Sequence, residues 1–80
     1  MIKEGDKVVL KKFGENLRRL REEKGLSLRE LSYACKIDNS KISKIEQGKI
    51  NITITTLIDL ASALELHPSA LLLYSAKENS

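Results

Sequence analysis

Little in this chain lends itself to cross-linking, metal binding or a broad sheet core. Cys35 is the one cysteine in 80 residues, so no disulfide can close within the chain and a reducing, cytoplasmic setting is expected. That thiol reads as a small core hydrophobe on the inner face of a helix, with no basic neighbour inside to activate it. His67, the one histidine, and Cys35 together cannot furnish the ligands of a zinc site, and no metal is expected. His67 precedes Pro68 in a turn, where a cap or an exposed loop residue is the ordinary reading. Aromatic side chains are confined to Phe13, Tyr33 and Tyr74. Leu and Ile must therefore fill the core, an inventory that suits small helices packed on one another better than a sheet sandwich.

Long apolar runs are missing as well. The longest near the C-terminus, residues 70–74, is far too short to cross a bilayer, and residues 1–14 lack the apolar segment of a secretory leader. Neither membrane insertion nor export is expected. Pro68 is the sole proline, and no repeat or low-complexity tract appears. The chain therefore reads as one domain over 1–80, with a core over about 7–74 and polar, frayed ends at 1–5 and 77–80. Charge of one sign is not dominant either: 14 Lys and Arg against 11 Asp and Glu leave a net charge of +3. Such a bias permits a nucleic-acid partner without demanding one. No carboxylate pair, Ser/His/Asp set or glycine-rich phosphate loop stands out, and a domain this small offers little room for a substrate pocket. An enzyme is not expected, nor a cofactor.

What the chain does have is dense helix punctuation. Leu10, Phe13, Leu17 and Leu20 recur at spacings of three and four, which predicts a first helix over 7–24, started by Asp6 and stopped by Gly25. Ser27-Leu28-Arg29-Glu30 is a capping box for a second helix over 28–35, with Leu31, Ala34 and Cys35 as its inner face. Asp38 can cap a third helix over 39–47, with Ile37 and Ile42 as a hydrophobic staple across the cap. Thr53 can cap a fourth over 54–64, striped by Leu57, Leu60, Ala61 and Leu64. Pro68 is placed to begin a short fifth over 68–74.

The third helix divides sharply. Ile42, Ile45 and Glu46 form its inward face, while Ser40, Ser43, Lys44 and Gln47 form a wholly polar outer stripe flanked by Asn39 and Lys41. A solvated outer face is common to surface helices. Here the stripe belongs to the second of two short helices joined by three or four residues, which is a helix-turn-helix, and its groups suit DNA. Asn presents a donor and an acceptor side by side for adenine, Lys donates to guanine or phosphate, and Ser serves either. Capped helix N-termini can also aim backbone donors at phosphates.

From Phe13 to about Leu73 the sequence resembles the Cro/repressor-type helix-turn-helix family, also called the xenobiotic-response-element family. The resemblance is carried by LRRLREEKGLSLREL, by IDNSKISKIEQGK and by TLIDLASALELHPSALL, with ISKIEQGK the most specific piece. It implies an all-α, five-helix, lambda-repressor-like DNA-binding domain. It also implies a transcriptional regulator acting as a homodimer on double-stranded DNA, with 39–47 as the recognition helix in the major groove. By the same resemblance Asn39, Ser40 and Lys44 would contact bases. Ser27, Lys41, Ser43, Lys49 and Asn51 would contact phosphates, and Arg21 would pair with Glu46. That pairing also answers a physical need, since an unpaired carboxylate on the face shared with Ile42 and Ile45 would be costly.

Three positions depart from the family pattern. Leu28 replaces a common phosphate-binding glutamine, Lys36 stands in a turn usually given to glycine, and Ser32 replaces the usual alanine. Leu71, Leu72, Leu73 and Tyr74 are consecutive, so at about 100° per residue they cannot all face one small core. The surplus predicts a symmetric dimer interface made from the fifth helix and the end of the fourth. An antitoxin-like module that holds a second protein and binds DNA only to regulate itself is the alternative, although the short segments flanking the helices leave little room for a partner-binding tail.

Overall fold

In the computed structural model, which describes residues 3–74, the chain folds as four α-helices and a closing 3₁₀ helix, with no strand among the described residues. The helices are α1 (Glu4–Glu23), α2 (Leu28–Cys35), α3 (Asn39–Glu46) and α4 (Ile54–Ala63). The fifth expected helix is instead 3₁₀, Pro68–Leu72. Five residues that begin with a proline are too few for a stable α-helix, and short pieces commonly take the tighter form. Tyr74 lies beyond it.

Helix α1 begins earlier than the apolar spacing predicts. Lys3 occupies the N-cap without a side-chain bond, and Asp6, expected as the cap, lies with Glu4 in the first turn. Two carboxylates there complement the positive end of the helix dipole and favour the added turn. Glu4 and Gly5 are thus helical rather than frayed, and the fraying expected over 77–80 concerns residues outside those described.

The other starts follow their caps. Ser27 Oγ accepts from the Glu30 amide while the Glu30 carboxylate accepts from the Ser27 amide, at 3.0 and 2.8 Å. Thr53 accepts from the Thr56 amide at 3.2 Å, and His67 Nδ1 from the Ser69 amide at 3.1 Å. Inside, Leu17, Leu31, Ile42, Ile45, Leu60, Leu64 and Leu71 are fully buried, with Phe13, Leu57 and Ala61 completing the core. Ala34, expected on an inner face, and Leu71, expected at a dimer interface, lie elsewhere. Ala34 is exposed, because α2 turns its Leu28, Leu31 and Cys35 stripe inward. Leu71 is buried in the core, which removes it from any dimer interface and leaves Leu72 and Leu73 exposed. Cys35 is half-buried against the core, and burial pushes its thiol pKa up, so it stays protonated.

One core contact is polar. Asn16, 4% exposed, donates through Nδ2 to the Ala70 and Leu71 carbonyls at 3.1 and 3.0 Å, and its Oδ1 accepts from Arg19 at 2.6 Å. It ties the closing 3₁₀ helix to α1, satisfying carbonyls that a short helix end leaves open. Asn16→Ala is expected to lower the unfolding free energy by about 1 to 3 kcal/mol, the cost of stranding buried acceptors. Denaturant titration would show this as a lower midpoint with an unchanged slope.

Candidate nucleic-acid interface

The turn between α2 and α3 consists of Lys36, Ile37 and Asp38. Lys36 is left-handed, with φ 59°, and its amide donates to the Ser32 carbonyl at 2.8 Å. A side chain in that conformation costs about 1 kcal/mol or more relative to glycine, strain the flanking helices must hold. Ile37 packs against the core, and Asp38 then starts α3 by accepting from the Ser40 amide at 3.0 Å and from the Ser40 hydroxyl. Those bonds hold the Asp38 carboxyl below its usual range, with the nearby Lys44 charge contributing least. A depressed carboxyl contributes stability above its unfolded pKa, so this cap persists at neutral pH and weakens as acid protonates the folded carboxyl.

Helix α3 is fastened to α1 from below. Arg21 and Glu46 make a two-pronged ion pair, Nε to Oε2 at 2.7 Å and Nη2 to Oε1 at 3.0 Å, with side chains 10% and 6% exposed. The remaining Arg21 Nη1 donates to the Leu26 carbonyl at 2.8 Å, so one guanidinium joins α1, the turn before α2, and α3. The bond to Glu46 raises the arginine pKa further against desolvation, keeping the guanidinium charged.

Close backbone approach completes the joint. A Cβ on Gly14 would overlap the Ile45 and Glu46 carbonyl oxygens and lie 2.7 Å from the Glu46 carbonyl carbon. One on Gly48, whose φ is +73°, would lie 2.7 Å from the Lys11 Cα. Sequence reasoning missed Gly14 and Asn16. An isolated glycine within a helical pattern was the available signal for the first, whereas an asparagine on a helix gives none.

With its inner side fixed, α3 turns its remaining groups outward. Ser40, Lys41, Lys44 and Gln47 are exposed, and Asn39 and Ser43 half-buried. Ser40 spends its hydroxyl proton on Asp38, leaving acceptor capacity outward. Ser43 Oγ accepts from Gln47 Nε2 at 2.8 Å, which leaves its own proton to donate. In the α3–α4 loop Lys49 and Asn51 are exposed; Asn51 Oδ1 accepts from the Ile52 amide at 2.8 Å, which keeps its amide donors available. Ser27 is exposed at the start of α2, on its own capping box. Leu28 packs against the core and is half-buried.

Two short helices joined by a three-residue turn, the second locked by its inner face and polar on its outer one, define a helix-turn-helix. A family model described as a helix-turn-helix domain matches residues 12–72, and the chain belongs to that family. It is 41% identical over 51 residues to an uncharacterised HTH-type transcriptional regulator, y4dJ, of Sinorhizobium fredii, covering 64% of this chain and 66% of that protein. The same identity over 51 residues relates it to the HTH-type transcriptional regulator DdrOP3 of Deinococcus deserti, of which 40% is covered. The matched segment thus spans less than two thirds of either relative. Among solved structures, the restriction-modification controller protein C.AhdI from Aeromonas hydrophila superimposes with a TM-score of 0.79 at 38% identity, over 80% of this chain and 97% of that one. The controller C.Esp1396I, as a tetramer in complex with its natural 35 base-pair operator, matches with a TM-score of 0.73 at 30% identity, over 79% and 83% of the two chains. No helix among the described residues is long and apolar enough to cross a membrane.

Proposed function

We propose that this protein is a transcriptional regulator that binds a palindromic operator in double-stranded DNA as a homodimer, with α3 in the major groove. The observation that carries the reading is the division of α3: Ile42, Ile45 and Glu46 are buried while Asn39, Ser40, Lys41, Ser43 and Lys44 face outward. A helix held rigidly by one side can present a fixed pattern of donors and acceptors to base edges. Asn39, Ser40 and Lys44 read bases. Ser27, Lys41, Ser43, Lys49 and Asn51 grip phosphates and set the register.

The two-fold partner covers Leu72, Leu73 and Tyr74. Leu72 and Leu73 are 55% and 72% exposed, and Ile54 and Ile58 on α4 are 72% and 44% exposed. Leu72 and Tyr74 line an apolar groove with Val9, Ile54 and Leu57. Exposed apolar surface joined across several elements is what an association face requires.

Selection of binding sites from random duplex DNA tests the whole reading. The expected product is a palindrome whose half-sites are about one helical turn apart, which places the two recognition helices about 34 Å apart. A single unpaired half-site would overturn the homodimer. Failure to enrich any sequence would overturn sequence-specific binding, and stable co-purification with a second polypeptide would then favour the antitoxin-like module.

A further inference from the structure

Beyond the residues assigned above, the packing of α1 against the α3–α4 loop brings one more cation to the same edge. The loop crosses α1 so closely that a Cβ on Gly48 would lie 2.7 Å from the Lys11 Cα, 2.9 Å from its amide nitrogen and 3.2 Å from the Leu10 carbonyl carbon. That contact, with the 3.8 Å step between consecutive Cα atoms, sets the Lys11 and Lys49 Cα atoms within about 8 Å of each other. One turn further along α1, Gly14 meets the Ile45 and Glu46 carbonyls at the end of α3. Residues three apart share a helix face, so Lys11 lies on the flank of α1 that borders the end of the recognition helix. Its side chain is exposed, as is that of Lys49. Lys12, about 100° further round the helix, points elsewhere and is half-buried.

We propose that Lys11 is a further phosphate contact, a cation outside the helix-turn-helix pair that extends the backbone-gripping surface of the α3–α4 loop along the DNA. It lies just before residue 12, where the family match begins. The inference rests on the reading that the outer face of α3 meets DNA, since only that docking brings the loop beside the phosphate backbone. Two ammonium groups rooted this closely can engage neighbouring phosphates of one strand, each releasing condensed counterions when it does so.

The test is a salt titration of binding, using the selected operator and an unrelated duplex, for the wild-type protein and the Lys11→Ala, Lys11→Arg and Lys12→Ala variants. Matching melting temperatures would establish that each variant is folded. For Lys11→Ala, the slope of log affinity against log salt is expected to fall in magnitude by about 0.9, with about eightfold weaker binding to both duplexes at 0.1 M salt. Lys11→Arg should keep the wild-type slope, and Lys12→Ala should keep most of it. An unchanged slope for Lys11→Ala, or equal losses for the Lys11 and Lys12 alanine variants, would overturn the proposal, the second result indicating net charge alone. Wild-type protein that binds neither duplex would overturn the DNA reading itself, an outcome distinct from a Lys11 variant that behaves as wild type.

Discussion

Glu46→Gln is expected to lower the unfolding free energy by about 3 to 5 kcal/mol, because it leaves the Arg21 guanidinium buried without a counter-charge. The pair is two-pronged, at 2.7 and 3.0 Å, and nearly excluded from water. Exposed ion pairs such as Arg18–Glu22 and Arg19–Glu23 are each worth less than about 1 kcal/mol, and breaking them should barely register. Domains of this size have only about 4 to 12 kcal/mol of stability in all, so losing the buried pair should move the melting temperature by more than about 10 °C. A purely apolar replacement of both partners, Arg21→Met with Glu46→Leu, should recover much of the loss, since neither charge is then left buried alone. That double variant would still lose the Arg21 bond to the Leu26 carbonyl. A Glu46→Gln protein that melts with the wild type would show that the pair does not fasten α3 to α1.

Gly14→Ala carries the second large effect, for a reason of space. Alanine is ordinarily the better helix former, by about 0.8 to 1 kcal/mol, and at an open position the change would stabilise α1. At Gly14 the added methyl would meet the backbone of Ile45 and Glu46 rather than a yielding side chain. Relief requires α1 and α3 to separate, which also stretches the Arg21–Glu46 bonds. Overpacking of this kind typically costs about 1 to 3 kcal/mol, and rigid backbone on one side puts this case at or above the upper end. The sign is therefore opposite to that given by helix propensity. Gly5→Ala supplies the control, because nothing lies within 4 Å of the new methyl there. Thermal unfolding of the two variants should move in opposite directions.

The helix-turn-helix was legible in the sequence because its signals are local. Ser27 with Glu30, Asp38 and Thr53 are short-range capping devices, and each starts the helix that it precedes. The division of α3 was equally legible, since Ile42 and Ile45 obey the helical period while Ser40, Ser43 and Lys44 occupy the other side. Other features were not legible, because residue type alone leaves more than one arrangement open. Asp6 looks like a cap in isolation, yet the first turn of α1 extends past it. Ala34 is apolar and its spacing from Leu31 suggests the inner face, whereas Leu28 and Cys35 claim that face. Leu71 could not be separated from Leu72 and Leu73 by composition, because which of three consecutive leucines is buried depends on the 3₁₀ geometry after Pro68. The seat of Gly14 against α3 and the bonds from Asn16 to the closing helix are tertiary facts, joining residues far apart in the chain, and no periodicity announces them.

Sequence reading by the outer face of α3 is tested most directly by the ratio of specific to non-specific affinity at one fixed salt concentration. Asn39→Ala and Lys44→Ala are expected to lose about 1 to 3 kcal/mol against the preferred site and little against unrelated DNA, so the ratio falls by about 5- to 150-fold. Lys49→Ala should weaken both affinities together and leave the ratio near its wild-type value. Asn39 and Lys44 variants that keep the wild-type ratio would contradict the assignment of base reading to this helix.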